Sequence, residues 1–260
     1  MAGGQERVLR RRIKSVQSTK KITRAMELIA ATRVVKAQER ANAARPYSQQ
    51  ITNVILDLVG LGAEASHPLL RESTDANRSA FVVMTSDRGL CGAYNSAVIR
   101  AAERELVARR AEGKDYALIL IGKKANSYFK FRNYDIAASF YDLTDRPDYE
   151  DARAVSEVVR TMFEAGDVDT VDLVYQRFLS AGSQEVVVRR FLPLETVDPN
   201  ADDPVEMHAS IEFDPSPGVT LDELLPRYVE ARLFAALLDA SASEHASRQR
   251  AMKAATDNAE

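Results

Sequence analysis

The stretch from residue 5 to residue 58 limits the fold of this chain more than any other feature. It contains no glycine and a single proline, Pro46, and it is rich in Ala, Arg, Lys, Gln and Glu, which favour helix. Apolar residues recur along it at helical spacing, beginning with Leu9, Ile13 and Val16. With a rise of about 1.5 Å per residue, this helix would be about 80 Å long. A compact domain of 28.8 kDa cannot enclose it, so part of it must project.

A second helical segment is predicted at the other end of the chain, over residues 220–260. Its apolar residues, such as Leu221, Leu225 and Leu237, also follow helical spacing, whereas beyond Ala240 the apolar content falls to Ala and Met252. Pro226 is expected in the first turn or two, where proline is tolerated. Because both ends of the chain are helical, an antiparallel pair that covers their apolar faces is predicted.

The residues between these helices change pattern twice. Residues 61–79 are polar and contain Gly and Pro, so that a linker is predicted between a helix over residues 1–60 and a domain over residues 80–215. Strands are predicted at 80–85, 116–121, 135–141, 170–178, 184–192 and 206–213, with helices at 94–111, 123–131 and 150–164. This alternation predicts an α/β domain with a parallel sheet and antiparallel strands late in the chain.

Charge is distributed unevenly along the chain. Residues 1–45 hold 12 Lys and Arg against three acidic residues, whereas the remainder holds 23 basic and 35 acidic residues. The basic arm is therefore expected to meet an acidic partner, either nucleic acid or an acidic protein surface. The only cysteine, Cys91, excludes an internal disulfide. No apolar stretch approaches the roughly 20 residues that span a bilayer, and a cytoplasmic protein is expected.

The sequence TSDRGLCGAYN, residues 85–95, follows an apolar strand and precedes a helix, which is where many proteins bind phosphate. However, Gly89 and Gly92 fit neither G-x-x-x-x-G-K-[ST] nor G-x-G-x-x-G. No lysine follows to reach a phosphate, and Asp87 would repel an anion. Nucleotide binding is therefore disfavoured. Cys91 beside Arg88 is either an activated thiol or, as we favour, a small buried residue in a tight turn.

Other chemical sites are also disfavoured. The three histidines, His67, His208 and His245, lie far apart in sequence without Cys or carboxylate at ligand spacing, so no metal site is predicted. The acidic stretch Asp142–Asp151 is expected to be a solvated loop, and nothing pairs a nucleophile with a base. No aromatic residue precedes Tyr47 to stack on a base, and a merely solvated basic face remains the simplest alternative for the N-terminal helix.

Three stretches together resemble one family: IKSVQSTKKITRAMELIAATRVVKAQ (13–38), TSDRGLCGAYN (85–95) and RQRAMKAATDNA (248–259). Over essentially its whole length the chain resembles the gamma subunit of the F-type, proton-translocating ATP synthase. The resemblance implies an antiparallel coiled coil of the terminal helices with an inserted Rossmann-like α/β domain. It also implies a central-stalk rotor that couples proton-driven rotation of the membrane ring to ATP synthesis or hydrolysis, without a cofactor or a catalytic residue of its own.

The partners implied by the resemblance are the alpha and beta subunits, the epsilon subunit and the membrane ring of c subunits, but neither nucleic acid nor a small-molecule substrate. The expected location is peripheral, on the cytoplasmic face of the cell membrane. Family members continue past the last motif, so the end at Glu260 is expected to be a truncation. A nucleic-acid-binding module and a Rossmann-type enzyme that binds NAD or ATP remain as alternatives from other classes.

The resemblance also implies two groups of site residues. One is a band of partner contacts toward the alpha/beta ring, with both helices at the same height: Lys20, Lys21, Arg24, Met26, Arg33, Arg248, Lys253, Thr256, Asp257 and Asn258. The other is the signature turn at the base of the stalk: Asp87, Arg88, Gly89, Cys91 and Gly92.

Overall fold

The computed structural model describes residues 2–60, 67–71, 76–194 and 216–259. Two long helices, α1 (Ala2–Gly60) and α5 (Pro217–Asp257), flank an α/β domain, which confirms the predicted fold class. The domain contains β1 (Arg78–Met84), α2 (Tyr94–Ala111), β2 (Asp115–Ile121), α3 (Lys123–Phe131), β3 (Ala138–Phe140), α4 (Tyr149–Glu164), β4 (Thr170–Phe178) and β5 (Gln184–Leu192). The predicted strand 206–213 lies outside the described residues.

Helices α1 and α5 pack antiparallel, as predicted. The hydroxyls of Thr23 and Thr256 lie 2.8 Å apart near one end of the pair, whereas Ile55 shares a buried cluster with Leu225 at the other. The prediction for the start of α5 was wrong, because the helix begins with Pro217, after Ser216 caps it through the N–H of Val219.

Pro226 therefore lies well inside α5 rather than in its first turns. A proline at that position removes one backbone hydrogen bond from the helix. The neighbouring Leu225, Tyr228 and Val229 are buried in the core.

The first part of α1 projects from the rest of the molecule. Residues 5–19 are exposed, including four apolar side chains that are 40–65% exposed: Val8, Leu9, Ile13 and Val16. Burial on α1 begins at Thr23, where α5 reaches it, and continues at Glu27, Ala30 and Val34. Part of α1 therefore projects, as its length predicted.

The sheet has the strand order β3-β2-β1-β4-β5, in which only β5 is antiparallel to its neighbour. Residues of β1 alternate between two clusters. Ala80, Val82 and Met84 share one with residues of α4 and the helical pair, whereas Phe81 and Val83 share the other with residues of α2 and α3. The sheet is therefore covered on both faces, which explains why its central strands are continuously apolar.

The described part of the stretch predicted as a linker is packed on the domain. Leu69 is fully buried in a short 3-10 turn, Pro68–Leu70, and its carbonyl accepts a 3.0 Å hydrogen bond from the N–H of Leu194. The Arg71 guanidinium lies 5.1 Å from the centre of the Phe163 ring. This segment therefore contributes to the core.

Gly122 allows the carboxyl ends of β1 and β2 to lie close together. Gly122 has φ +91°, and a Cβ on it would lie 2.2 Å from the carbonyl oxygen of Thr85. The Thr85 hydroxyl also links these segments: it donates to the Ile121 carbonyl at 3.2 Å and accepts from the Ala125 N–H at 2.9 Å. The turn after β1 is thus fixed against the start of α3.

We expect Gly122→Ala to lower the free energy of unfolding by about 3 kcal/mol or more, because the methyl group adds a backbone clash to the strain of a positive φ. Gly113→Ala is the matched control, since Gly113 has φ +71° with nothing within 4 Å of an added Cβ. Its cost should be about 1 kcal/mol. Equilibrium urea unfolding of both variants measures the difference, and equal costs would contradict the steric argument.

Candidate functional site at the helix junction

The turn after β1 is held by its own side chains. The Asp87 carboxylate accepts from the Lys123 N–H at the start of α3, at 3.1 Å, and from the Thr144 hydroxyl at 3.0 Å. A negative charge at a helix N-terminus is favourable, and here the chain supplies that charge itself. This arrangement supports the interpretation of the turn as a packing element.

Cys91 is buried in the same turn. Its thiol lies 3.1 Å from the side-chain amide nitrogen of Asn95, and the Asn95 amide oxygen accepts from the N–H of Ser86 at 2.9 Å. Burial raises the pKa of the Cys91 thiol, so the reactive thiolate is disfavoured. The structure therefore supports a small buried turn residue over an activated nucleophile.

Helix α5 lies across the turn. The Tyr94 hydroxyl donates to the carbonyl of Ala240 at 3.1 Å. Gly92 has φ +58°, and a Cβ on it would meet the Cβ of Ala251 at 3.7 Å. In doubly wound folds, ligands bind in the crevice beyond the carboxyl ends of the strands. Here a helix of the same chain packs at the carboxyl end of β1.

Arg248 makes the closest connection between α5 and the turn. Its guanidinium donates to the carbonyl of Arg88 at 3.2 Å and to the carbonyl of Gly89 at 3.3 Å. It also forms a 2.7 Å ion pair with Glu244, and the two side chains are only 10% and 2% exposed. Burial raises the pKa of the Glu244 carboxyl, although Arg248 opposes that shift.

His245 links α5 to the loop before α4. Its Nδ1 lies 3.4 Å from the Arg248 guanidinium, which can only donate, so Nδ1 accepts. The ring hydrogen is then on Nε2 and is donated to the Asp145 carbonyl at 3.0 Å. Burial lowers the pKa of His245, which keeps the ring neutral. Arg33 of α1 pairs with the Asp145 carboxylate, so this one loop holds both long helices.

Asp145, Glu244 and His245 bring three possible metal ligands within 4.8 Å of one another. Two arginines already pair with the two carboxylates, and the His245 Nε2 carries a hydrogen. The two guanidinium charges would repel a cation at this place. The cluster is best described as a hydrogen-bonded ionic network.

The structure separates the predicted contact residues into two groups. Lys21, Arg24, Lys253, Asp257 and Asn258 are exposed around the level of the Thr23–Thr256 hydrogen bond, with Lys20 half-buried beside them. The placement of two other residues on the surface was wrong: Arg248 is 8% exposed and Thr256 is 4% exposed. Small neighbours on both helices let these two side chains turn inward, toward the signature turn and toward Thr23.

Met26 and Arg33 lie higher on α1, half-buried against the signature turn. With Arg88, Gly89 and Arg248 they line a cavity of about 210 Å³, to which Leu90 contributes an exposed side chain at φ +65°. Five predicted site residues (Met26, Arg33, Arg88, Gly89 and Arg248) thus lie together around this cavity, which is an internal junction of the chain.

The most informative junction residues were not predicted. Asp142–Asp151 was expected to be a solvated loop, which was wrong: Leu143, Thr144 and Pro147 are buried, and Asp145 binds both long helices. Residues 241–248 are all buried in spite of their polar side chains. The pair Glu244 and Arg248, four residues apart within a run of Ser and Ala, could have indicated this buried polar stretch.

The fold and this junction define an elongated protein, in which an antiparallel helical pair is fixed to a small α/β domain. The family model described as ATP synthase matches residues 5–260. The ATP synthase gamma chain of Parafrankia sp. (strain EAN1pec) is 48% identical over 264 residues, covering 99% of this chain and 87% of the relative. That of Frankia casuarinae is 47% identical, with coverage of 99% and 87%. The chain belongs to the ATP synthase gamma chain family.

Solved structures agree with this assignment. A chain in the cryo-EM structure of the Tetrahymena thermophila mitochondrial ATP synthase central stalk and c-ring has a TM-score of 0.67 and 28% identity, covering 90% of this chain and 99% of that chain. A chain in the Euglena gracilis mitochondrial ATP synthase rotor has a TM-score of 0.66 at 18% identity, covering 99% and 92%, which shows the same fold. Within the described residues, no helix combines the length and apolar content that crossing a bilayer requires.

We expect Arg248→Met to lower the free energy of unfolding by about 3–5 kcal/mol, because it leaves the Glu244 carboxylate buried without its partner. Urea unfolding of the full chain measures this cost. Arg250→Met is the control, since Arg250 is exposed two residues later, and it should change stability by less than about 1 kcal/mol.

The double variant Glu244→Met with Arg248→Met should recover at least half of the loss, because it removes both charges together. If Arg248→Met costs no more than Arg250→Met, the buried pair does not hold the junction.

Proposed function

We propose that this chain is the central-stalk rotor subunit of an F-type ATP synthase, which couples proton-driven rotation of the membrane ring to ATP synthesis or hydrolysis at alpha/beta catalytic sites. The observation that carries the proposal is the junction, where α5 is fixed to the α/β domain by buried polar contacts and α1 by half-exposed ones. A torque applied to the domain is transmitted to the helices only if the helices cannot slip against it.

The contacts at the junction oppose slip of either helix. From α1, Arg33 binds the Asp145 carboxylate and Arg40 donates to the Pro147 carbonyl. From α5, His245 donates to the Asp145 carbonyl, and Arg248 donates to the turn. Rotation of α5 about its own axis would break the hydrogen bonds of buried Arg248 and His245, where each unpaired group costs about 1–3 kcal/mol, whereas the half-exposed contacts of α1 contribute less.

The projecting part of the pair suits contacts that are made and broken repeatedly. In this proposal, alpha and beta subunits surround the band formed by exposed Lys21, Arg24, Lys253, Asp257 and Asn258 with half-buried Lys20. Exposed ion pairs contribute about 0–1 kcal/mol each, which is weak enough to exchange at every angle. A rotor face biases a beta subunit only by binding one of its conformations better than another, so the asymmetry of the two helices is what matters.

The α/β domain would meet the epsilon subunit and the c ring, at the cytoplasmic face of the cell membrane. The related Tetrahymena chain belongs to a structure of central stalk and c-ring, which supports the second contact. Catalysis would take place on other subunits, because the signature turn is closed by Asp87 and by α5. The signature turn itself would then be the surface of the domain on which α5 packs.

The partner band can be tested by reversing exposed charges. We expect Lys21→Glu with Lys253→Glu to lower ATP synthesis several-fold relative to ATP hydrolysis, because attraction toward acidic loops becomes repulsion at about 1–2 kcal/mol in total. Both side chains are exposed, so the chain should stay folded. The two rates are measured in membrane vesicles that carry the reconstituted complex, with synthesis driven by an imposed proton gradient.

Lys130→Glu is the control, an exposed charge reversal on α3 of the α/β domain that should leave the ratio of the two rates unchanged. Identical ratios for the double variant and the native complex would show that the band does not contact the catalytic ring.

A further inference from the structure

A separate cavity of about 350 Å³ lies where α1 and α5 meet the start of α4. Ala41 and Ala44 of α1 face Ala231 and Ala235 of α5 around it, and these short side chains leave the space between the helices open. The volume is within the range of small-molecule sites, about 300–1,000 Å³. The proposed rotor function does not use this cavity.

Three aromatic rings line the cavity, from Tyr47, Tyr149 and Phe234. Tyr149 and Phe234 pack edge to face, with ring centres 5.6 Å apart and planes at 75°. The Tyr149 hydroxyl donates to the Glu230 carboxylate at 3.0 Å, so that its ring is held from both ends. Two rings of the wall are therefore pre-organised, and aromatic faces attract cations.

The wall also carries one carboxylate, from Asp239 of α5. Within the residues that the structure describes, no hydrogen bond or ion pair holds this carboxylate, although Arg45 and Arg177 act on it from a distance. Burial raises the pKa of Asp239 to about 6, so the group is ionised at pH 7.5. An ionised carboxylate without a direct partner is costly beside an apolar wall, and a bound cation would relieve that cost.

We propose that this cavity binds a small organic ammonium ion, whose charged head lies against Asp239 and whose apolar body lies among Tyr47, Tyr149 and Phe234. Aromatic rings combined with a carboxylate are the chemistry that recognises alkylammonium groups. Arg45 is exposed at the mouth of the cavity, where its flexible side chain competes for the same carboxylate. The occupant must therefore displace Arg45 from the neighbourhood of Asp239.

The test is a calorimetric titration of the full chain with benzyltrimethylammonium at pH 7.5. Choline and its neutral isostere 3,3-dimethylbutan-1-ol form a matched pair of smaller probes. We expect saturable binding of the two cations, with the neutral isostere at least about tenfold weaker. The proposal is overturned if neither cation binds, or if choline and its neutral isostere bind with equal affinity.

Variants locate the binding in the cavity. Asp239→Asn should weaken binding of benzyltrimethylammonium at least about tenfold, Phe234→Leu should weaken it several-fold, and Arg45→Gln should strengthen it. Glu223→Gln is the matched control, an exposed carboxylate on the same helix outside this cavity, and should leave the affinity unchanged. Circular dichroism of each variant verifies folding, and an unchanged affinity in folded Asp239→Asn would exclude the proposed site.

Acidity provides a second, independent measurement on the native chain. Lowering the pH from 7.5 to 5 should weaken binding about tenfold, because Asp239 becomes protonated. The other charged or ionisable groups that act on it are Arg45 of α1 and Tyr175 and Arg177 of β4. A pH-independent affinity would show that the cation binds elsewhere.

Discussion

The buried Arg248, which pairs with Glu244 of the same helix, determines where α5 sits on the α/β domain through its hydrogen bonds to the signature turn. Two charges in a water-poor site contribute little net stability, because their desolvation offsets their attraction. Their effect is on specificity: Glu244 holds the guanidinium from within α5, and only one position of α5 brings that guanidinium to the carbonyls of Arg88 and Gly89. The antiparallel register of the helical pair and the closure of the signature turn both depend on that position.

Much of the fold follows from local sequence patterns. The spans of α2, α3, β4 and β5 match those predicted, because each is a short run of one periodicity bounded by Gly or polar residues. The ends of the elements were less predictable: β3 is three residues long where seven were expected, and α5 starts at Pro217. Those limits depend on pairing and capping by residues elsewhere in the chain.

The junction was only half predictable. The signature turn could be identified from its motif, and its lack of a phosphate-binding pattern agrees with the Asp87 carboxylate at the start of α3. The burial of Arg248 and the contacts of Asp145 with both long helices could not be predicted, because they result from three segments that are distant in sequence and meet around one polar stretch of α5. Hydrophobic periodicity does not detect a helix whose buried face is made of Ser, Glu and His.

Many junction contacts share one chemical property: a side chain donates and a backbone carbonyl accepts. Arg248 donates to the carbonyls of Arg88 and Gly89, His245 to that of Asp145, and Arg40 to that of Pro147. A carbonyl is present whatever the side chain, so the accepting positions can change residue without loss of the bond, provided that the backbone path is kept. The information that fixes the helices is thus concentrated in the donors. Sequence drift in the turn and the loop is tolerated at these bonds, whereas drift at Arg248 or His245 is not.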